Sequence, residues 1–180
     1  IVVAAKGQLK EYENFKRQYN ITKLSAVTAG GNTRSDSVLA GFGAVSPKCE
    51  FVAIHDGARC LIKSEDIEKV IKSAFRYGSA IAASKSTDTL KKVNENGIIS
   101  ETVNRDTVMR AQTPQVLMKD IYEIAISSKT KPSSPTDDSM LVESAGFKVH
   151  TVEAGAYNIK ITTDEDFYVA ARIISNGELV

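Results

Sequence analysis

At 180 residues and 42% hydrophobic, the sequence is long enough for one globular domain with a substantial core. Charged residues make up 25% yet nearly cancel to a formal +1, which excludes nucleic-acid binding driven by net charge; no apolar run approaches the ~20 residues of a membrane-spanning helix. Cys49 and Cys60 lack a C-x-x-C spacing, and His55 and His150 are the only histidines, so a reduced, cytoplasmic protein without a zinc site is expected.

The chain opens on Ile1–Ala5, a β-branched run that reads as a buried strand. It has no methionine and no polar lead-in, so we expect a segment upstream of it, although no signal peptide is visible. Leu9, Tyr12, Phe15 and Tyr19 then fall at roughly helical spacing over residues 8–19. Leu24–Thr28 is the next strand, and "AGGNTRSDS" turns it into a helix carrying Val38, Leu39 and Phe42, closed by Pro47. Phe51–Ile54 is the third strand and "HDGARC" its exit. Ser64 is expected to cap a helix whose apolar stripe is Ile67, Val70, Ile71, Ala74 and Phe75, with Gly78 as a left-handed stop. Ser79–Ala83 is a fourth strand, and this alternation implies a mostly parallel sheet with helices on both faces.

The pattern then changes. "TDTLKKVNENGIISETVN" is two strand-like runs around Asn96-Gly97, a strong hairpin signal. Its polar flanks give it no helix to pack on, so it either lies on the surface or projects as an arm, about residues 86–108, that another subunit covers. "NRDTVMRAQTPQ" reads as an ordered polar loop, followed by a helix over residues 119–127 and another capped by Thr136 and stopped at Gly146. Strands are expected near Val149–Val152 and in "YNIKI", and Thr163 with Asp166 opens the last helix in a capping-box-like pairing. Without repeats or a long linker, residues 1–180 read as a single domain.

Four stretches concentrate chemistry. In "HDGAR", Asp56 suits a hard divalent cation, Arg59 a phosphate, and Gly57 a close backbone approach; the residues alone equally allow a turn with a solvated arginine. The glycine pair of "AGGNTRSDS" can cradle an anion or base edge, or be a plain turn. "NRDTVMRAQTPQ" packs Arg105, Asp106, Arg110, Gln112, Thr113 and Gln115 into one segment, which a solvated connection would also explain. Lys160, between Ile159 and Ile161, faces either solvent or a phosphate. Two histidines cannot furnish a metal phosphohydrolase, adjacent His55 and Asp56 cannot share one face of a strand as a catalytic triad needs, and no P-loop or dinucleotide fingerprint exists.

In order and spacing, "GGNTRSDSVLAG", "HDGAR", "DTLKK", "NRDTVMRAQTPQ", "TDDSMLVESAG" and "NIKITTDEDF" resemble the 2-C-methyl-D-erythritol 4-phosphate cytidylyltransferases of the non-mevalonate isoprenoid pathway, over essentially the whole chain. The resemblance implies a Rossmann-like α/β nucleotidyltransferase fold and a homodimer joined by the hairpin arms. It also implies Mg²⁺-dependent transfer of a cytidylyl group from CTP to methylerythritol phosphate, giving CDP-methylerythritol and pyrophosphate. Carried over by position, Gly31, Asn32 and Ser37 line the cytosine and ribose pocket, with Asp56 and Gly57 also beside the nucleotide. Asp56 contacts metal and substrate, Arg59 and Thr113 hold the substrate, and Lys160 pairs with its phosphate. Thr89 and Arg105, on the arm, reach into the partner's site.

Three departures accompany the resemblance: Asn32 where an aspartate is common, Cys60 for a proline, and Asn104 for an aspartate. A larger one is that nothing in residues 1–180 matches the family's "AAGxGxRM…PKQ" loop, which clasps the CTP phosphates. The expectation is therefore a fragment that turns over little or nothing, with a gap in its sheet and marginal stability. The rivals are a ribitol-5-phosphate cytidylyltransferase, which shares the scaffold, and an inactive fragment that only dimerises.

Overall fold

The alternation of short β-branched runs with amphipathic stretches forms eight strands and six α-helices in the computed structural model, which describes residues 1–177. They are laid out as two compact units, where the sequence suggested one domain.

The first unit comprises Ile1–Val52 and Lys119–Gly146. Strand β1 (Val2–Ala4) pairs in parallel with β2 (Val27–Ala29), joined by α1 (Leu9–Gln18). Leu24, read as the start of β2, is buried but sits in the turn before it. Helix α2 (Arg34–Phe42) opens with a full capping box: the Thr33 hydroxyl accepts from Asp36 N–H, and the Asp36 carboxylate accepts from Thr33 N–H. Helices α4 (Lys119–Ser127) and α5 (Asp138–Ser144) complete the unit. The cap of α5 is Asp137 rather than Thr136, because the Asp137 carboxylate accepts Met140 N–H at 2.9 Å. Phe42 meets Tyr122 edge to face at 5.1 Å, and Tyr122 donates its phenol proton to Asp138 at 2.7 Å. Arg34 reaches the other oxygen of Asp138 at 2.8 Å, so a nearly dry carboxylate joins α2, α4 and α5.

The second unit runs from Ala53 to Met118 and resumes at Phe147. The chain passes into it within β3 (Phe51–Ile54), an edge of a sheet ordered β3-β7-β4-β8. Strand β4 (Ser79–Lys85) pairs in parallel with β8 (His150–Glu153) and antiparallel with β7 (Met109–Met118). Four consecutive small or branched residues of β4, Ala80–Ala83, are almost completely buried, together with Val70 and Ala74 of helix α3 (Ser64–Tyr77). Phe75, placed on the same stripe by its spacing, is instead 64% exposed: only a narrow line of α3 packs on the small side chains of β4. Ser64 is not the α3 cap either. Lys63 occupies that position with extended backbone and no side-chain bond. Gly78 does take the left-handed stop, at φ +87°. Helix α6 (Asp164–Ser175) begins with the anticipated Thr163–Asp166 box.

The predicted hairpin is present as β5 (Leu90–Val93) and β6 (Ile99–Val103), in antiparallel register. Its turn is tied by the Asn94 side chain, which accepts from the N–H groups of both Asn96 and Ile98. Two readings are corrected here. "NRDTVMRAQTPQ" is not a loop: from Met109 onward it is strand β7. "YNIKI" is not a strand, since residues 157–161 form no ladder.

Candidate functional site

Strand β3 ends at Ile54, and the next residues fold into a turn closed by Arg59 N–H donating to the Asp56 carbonyl at 2.9 Å. That turn returns the Arg59 guanidinium to the Asp56 carboxylate, with Nε 3.7 Å from Oδ2. From far along the chain, Lys160 brings its ammonium to 3.1 Å from the same oxygen. Lys160 gets there without strand alternation: the irregular segment is held by Ile161 N–H donating to the Ala58 carbonyl at 2.9 Å. Thus two cations flank one carboxylate.

Strand β7 provides the fixed side of the cluster. Ile81 of β4 pairs with Gln115 but Ala83 pairs with Ala111, so β7 bulges across residues 112–114. A bulge re-aims side chains and is where an interior strand tolerates a proline, here Pro114. Through it Thr113 presents its hydroxyl to the β3 turn, accepting Asp56 N–H at 2.9 Å and lying 3.0 Å from His55 Nδ1. His55 Nε2 is 3.1 Å from the Arg59 carbonyl, which can only accept, so that nitrogen carries the proton. Nδ1 then accepts the Thr113 O–H. With its proton and a lone pair engaged and only 4% exposed, Thr113 braces the turn.

Arg59 is the buried cation. Its side chain is 12% exposed, and one terminal nitrogen donates to the Asn158 carbonyl at 2.7 Å. Its buried Nε has no hydrogen-bond acceptor, a donor left over for something that carries oxygen. Burial holds its pKa below the ordinary arginine value, Asp56 opposes that shift, and Arg110 adds to it. Lys160, at 43% exposed, is the more accessible partner. The surplus of positive charge suits a phosphate monoester, with Lys160 as a movable point charge and Arg59 as a fixed fork.

Among the described residues no three His, Cys, Asp or Glu side chains gather to hold a metal. Asp56 is the carboxylate that the two cations of this cluster flank. Such a site fits Mg²⁺, which commonly binds one or two carboxylates and takes its remaining oxygens from water and substrate phosphates. It does not fit an all-protein metal cage.

The first unit holds a separate hollow of about 440 Å³, lined by Ala5, Lys6, Gly30, Gly31, Asn32 and Ser37 among others. The anticipated Gly31, Asn32 and Ser37 therefore do meet. Ser37 shapes the loop: its hydroxyl donates to the Thr33 carbonyl at 2.9 Å and accepts Gly31 N–H at 3.2 Å. A side chain at Gly31 would run into Asp36, so glycine is required there by space. Lys6, which sequence reasoning missed, brings a cation to this hollow; its position directly after β1 was the available signal. Gly57 is exposed, and a methyl group there would touch nothing within 4 Å. Thr89 is exposed at the root of the hairpin, and Arg105 donates to the Thr87 carbonyl at 2.8 Å, bracing the arm's base.

Comparison with known proteins identifies the family of the chain. The model of the family described as 2-C-methyl-D-erythritol 4-phosphate cytidylyltransferase matches residues 1–176. An enzyme of that name from Syntrophus aciditrophicus is 38% identical over 92% of this chain and 71% of its own length. One from Alkaliphilus oremlandii is 43% identical over 87% of this chain and 66% of its own length. The chain thus spans 66% and 71% of the length of these two relatives. The crystal structure of 4-diphosphocytidyl-2C-methyl-D-erythritol synthase from Anaerococcus prevotii superposes with a TM-score of 0.83 at 31% identity, covering 96% of this chain and 77% of that one. The Thermus thermophilus cytidylyltransferase gives 0.73 at 29% identity, over 83% of this chain and 73% of that one. The relatives' names specify methylerythritol phosphate, not ribitol phosphate. With its mixed α/β sheet, its β3-exit charge cluster and a match along almost its entire length, this chain belongs to the 2-C-methyl-D-erythritol 4-phosphate cytidylyltransferase family.

Proposed function

We propose that the chain supplies the acceptor half of a cytidylyl transfer from CTP to 2-C-methyl-D-erythritol 4-phosphate, releasing pyrophosphate. The convergence of Asp56, Arg59 and Lys160 carries this reading. Lys160 exchanges its contact with Asp56 for the acceptor phosphate, and Arg59 directs its spare Nε–H toward the polyol phosphate. Fixing the nucleophilic phosphate oxygen supplies most of what such an in-line displacement needs, because positioning and charge neutralisation dominate phosphoryl chemistry. Asp56 would hold Mg²⁺, which when bound neutralises phosphate charge. In the first unit, Gly31, Asn32 and Ser37 receive the cytosine and ribose, and Lys6 adds positive charge there.

We further propose a homodimer joined by the arms, in which Thr89 and Arg105 serve the partner's site. Val93, Ile98 and Ile99 stand 55%, 63% and 58% exposed on the arm, an apolar surface that a second copy would cover. None of the described helices is long and apolar enough to cross a membrane, and we place the enzyme in the cytoplasm.

Calorimetric titration tests the acceptor reading. The 180-residue chain should bind methylerythritol phosphate more tightly than ribitol 5-phosphate. A preference for the ribitol compound, or no binding of either, would contradict it. Because residues 1–180 hold no match to the family's glycine-rich triphosphate loop, CTP-dependent pyrophosphate release by this chain alone should stay at background. Measurable release would overturn that part.

A further inference from the structure

Asn158 is only 1% exposed, lies within the stretch misread as a strand, and has no role in the chemistry above. Its side-chain amide donates to the Thr113 carbonyl and to Gln112 Oε1, each at 2.9 Å. Its main-chain carbonyl receives the Arg59 guanidinium at 2.7 Å while its buried Oδ1 has no partner, and Lys160 follows two residues later. One buried residue therefore touches the β7 bulge, which braces Asp56 through Thr113, and the arginine of the β3 turn, and it anchors the segment carrying Lys160.

We propose that Asn158 is a positioning residue that sets the spacing of Asp56, Arg59 and Lys160. The chemistry selects asparagine. The Thr113 carbonyl and Gln112 Oε1 both accept, so the residue between them must offer two N–H donors from one short side chain. The isosteric aspartate offers none when ionised and sets a charge against a carbonyl oxygen. Serine offers one donor and leaves an acceptor bare. Ile161 N–H to the Ala58 carbonyl is the sole other backbone bond described between the β3 turn and the Lys160 segment, and it cannot by itself fix the lysine's distance from β7.

The effect on ligand rests on the proposed acceptor site; the effect on local order does not, and two readouts separate them. Hydrogen exchange should show the Asp56 and Ile161 amides of Asn158→Ser exchanging at least about tenfold faster than in the unaltered chain. The Val70 and Ala74 amides, within helix α3, should keep their rates. Gln112→Leu, which removes one acceptor of the Asn158 amide together with the Gln112 Nε2 donation to Ser84 Oγ at 3.2 Å, should give a smaller change of the same pattern; Ser84→Ala, which removes only the Ser84 bond, should give none. Uniform acceleration at all four amides means ordinary destabilisation, and no acceleration means no clamp; either overturns the inference. In calorimetry, methylerythritol phosphate affinity should fall about tenfold or more in Asn158→Ser at a temperature where circular dichroism shows the chain folded. Unchanged affinity overturns the positioning role. If the unaltered chain binds no methylerythritol phosphate, the acceptor reading has failed instead, and the exchange comparison alone decides.

Discussion

Lysine and arginine play different parts beside Asp56. Arg59 is fixed by burial and by the Asn158 carbonyl, so Arg59→Lys should lose that bond and the planar fork together, although the charge persists. Lys160 is half-exposed in its pair with Asp56, so Lys160→Ala should leave thermal stability nearly unchanged while weakening methylerythritol phosphate. A loss of about tenfold corresponds to ~1.4 kcal/mol. In the first unit the opposite holds for Tyr122. Burial, with Asp138 next to it, drives the phenol's pKa far above its ordinary value, so the proton stays on and is shared with Asp138. Tyr122→Phe leaves a nearly dry carboxylate short of a donor and should cost about 1–3 kcal/mol in denaturant unfolding. An unchanged midpoint would show that water replaces the phenol.

At the scale of elements, caps and ties decide how loops are held. The capping box of α2 adjoins Asn32 and Ser37, which line the Gly31 hollow, so Thr33→Ala should cost about 1 kcal/mol and weaken CTP as well. Asp66, in the first turn of α3, accepts Gly155 N–H and Lys69 at 2.8 Å each. Burial pulls its pKa up, but the Lys69 and Gly155 hydrogen bonds and nearby lysines outweigh that and leave it below the ordinary aspartate value. A pKa lowered on folding stabilises above the unfolded-state value, about 3.9, and the gain is lost as pH falls through the folded-state value. Asp66→Asn should therefore be less stable than the parent at pH 7, with the two converging below about pH 4 in urea titrations. A gap that persists in acid would assign the effect to packing.

Element type was legible wherever local pattern and tertiary role agreed. The helix at residues 119–127, the hairpin turn at Asn96-Gly97 and the Thr163 cap each carry their own signal. "NRDTVMRAQTPQ" did not, because a bulge interrupts the period-two pattern of β7 just where the site needs Thr113. "YNIKI" alternates like a strand, yet it forms no ladder: the Asn158 side chain bonds the Thr113 carbonyl and Ile161 N–H the Ala58 carbonyl. Of the site, Asp56, Arg59 and Lys160 were visible as chemistry arriving at element ends. Asn158 and Lys6 were not, since a buried asparagine has no distinctive neighbours in sequence and the lysine is marked only by its place after β1.

Over the whole molecule, order should be uneven. β1 and β2 form a sheet of two three-residue strands, a size that is marginal without further partners. β4 lies between two neighbours with Ala80–Ala83 nearly inaccessible. Native-state exchange should therefore find Ala82 protected close to the global limit and Val3 exchanging far faster. Equal protection would mean that β1 has pairing beyond β2. If the arm dimerises the chain, sedimentation should show a dimer that Ile99→Lys converts to monomer, whereas a monomeric parent would remove the arm from the mechanism.

The account depends above all on Asp56, Arg59 and Lys160 forming a single phosphate-binding cluster. Its most direct test is a calorimetric titration of the parent chain and of Lys160→Ala with methylerythritol phosphate in the presence of Mg²⁺. The account predicts saturable binding by the parent and an affinity lower by about tenfold or more in the variant. Equal affinity in the two would contradict it.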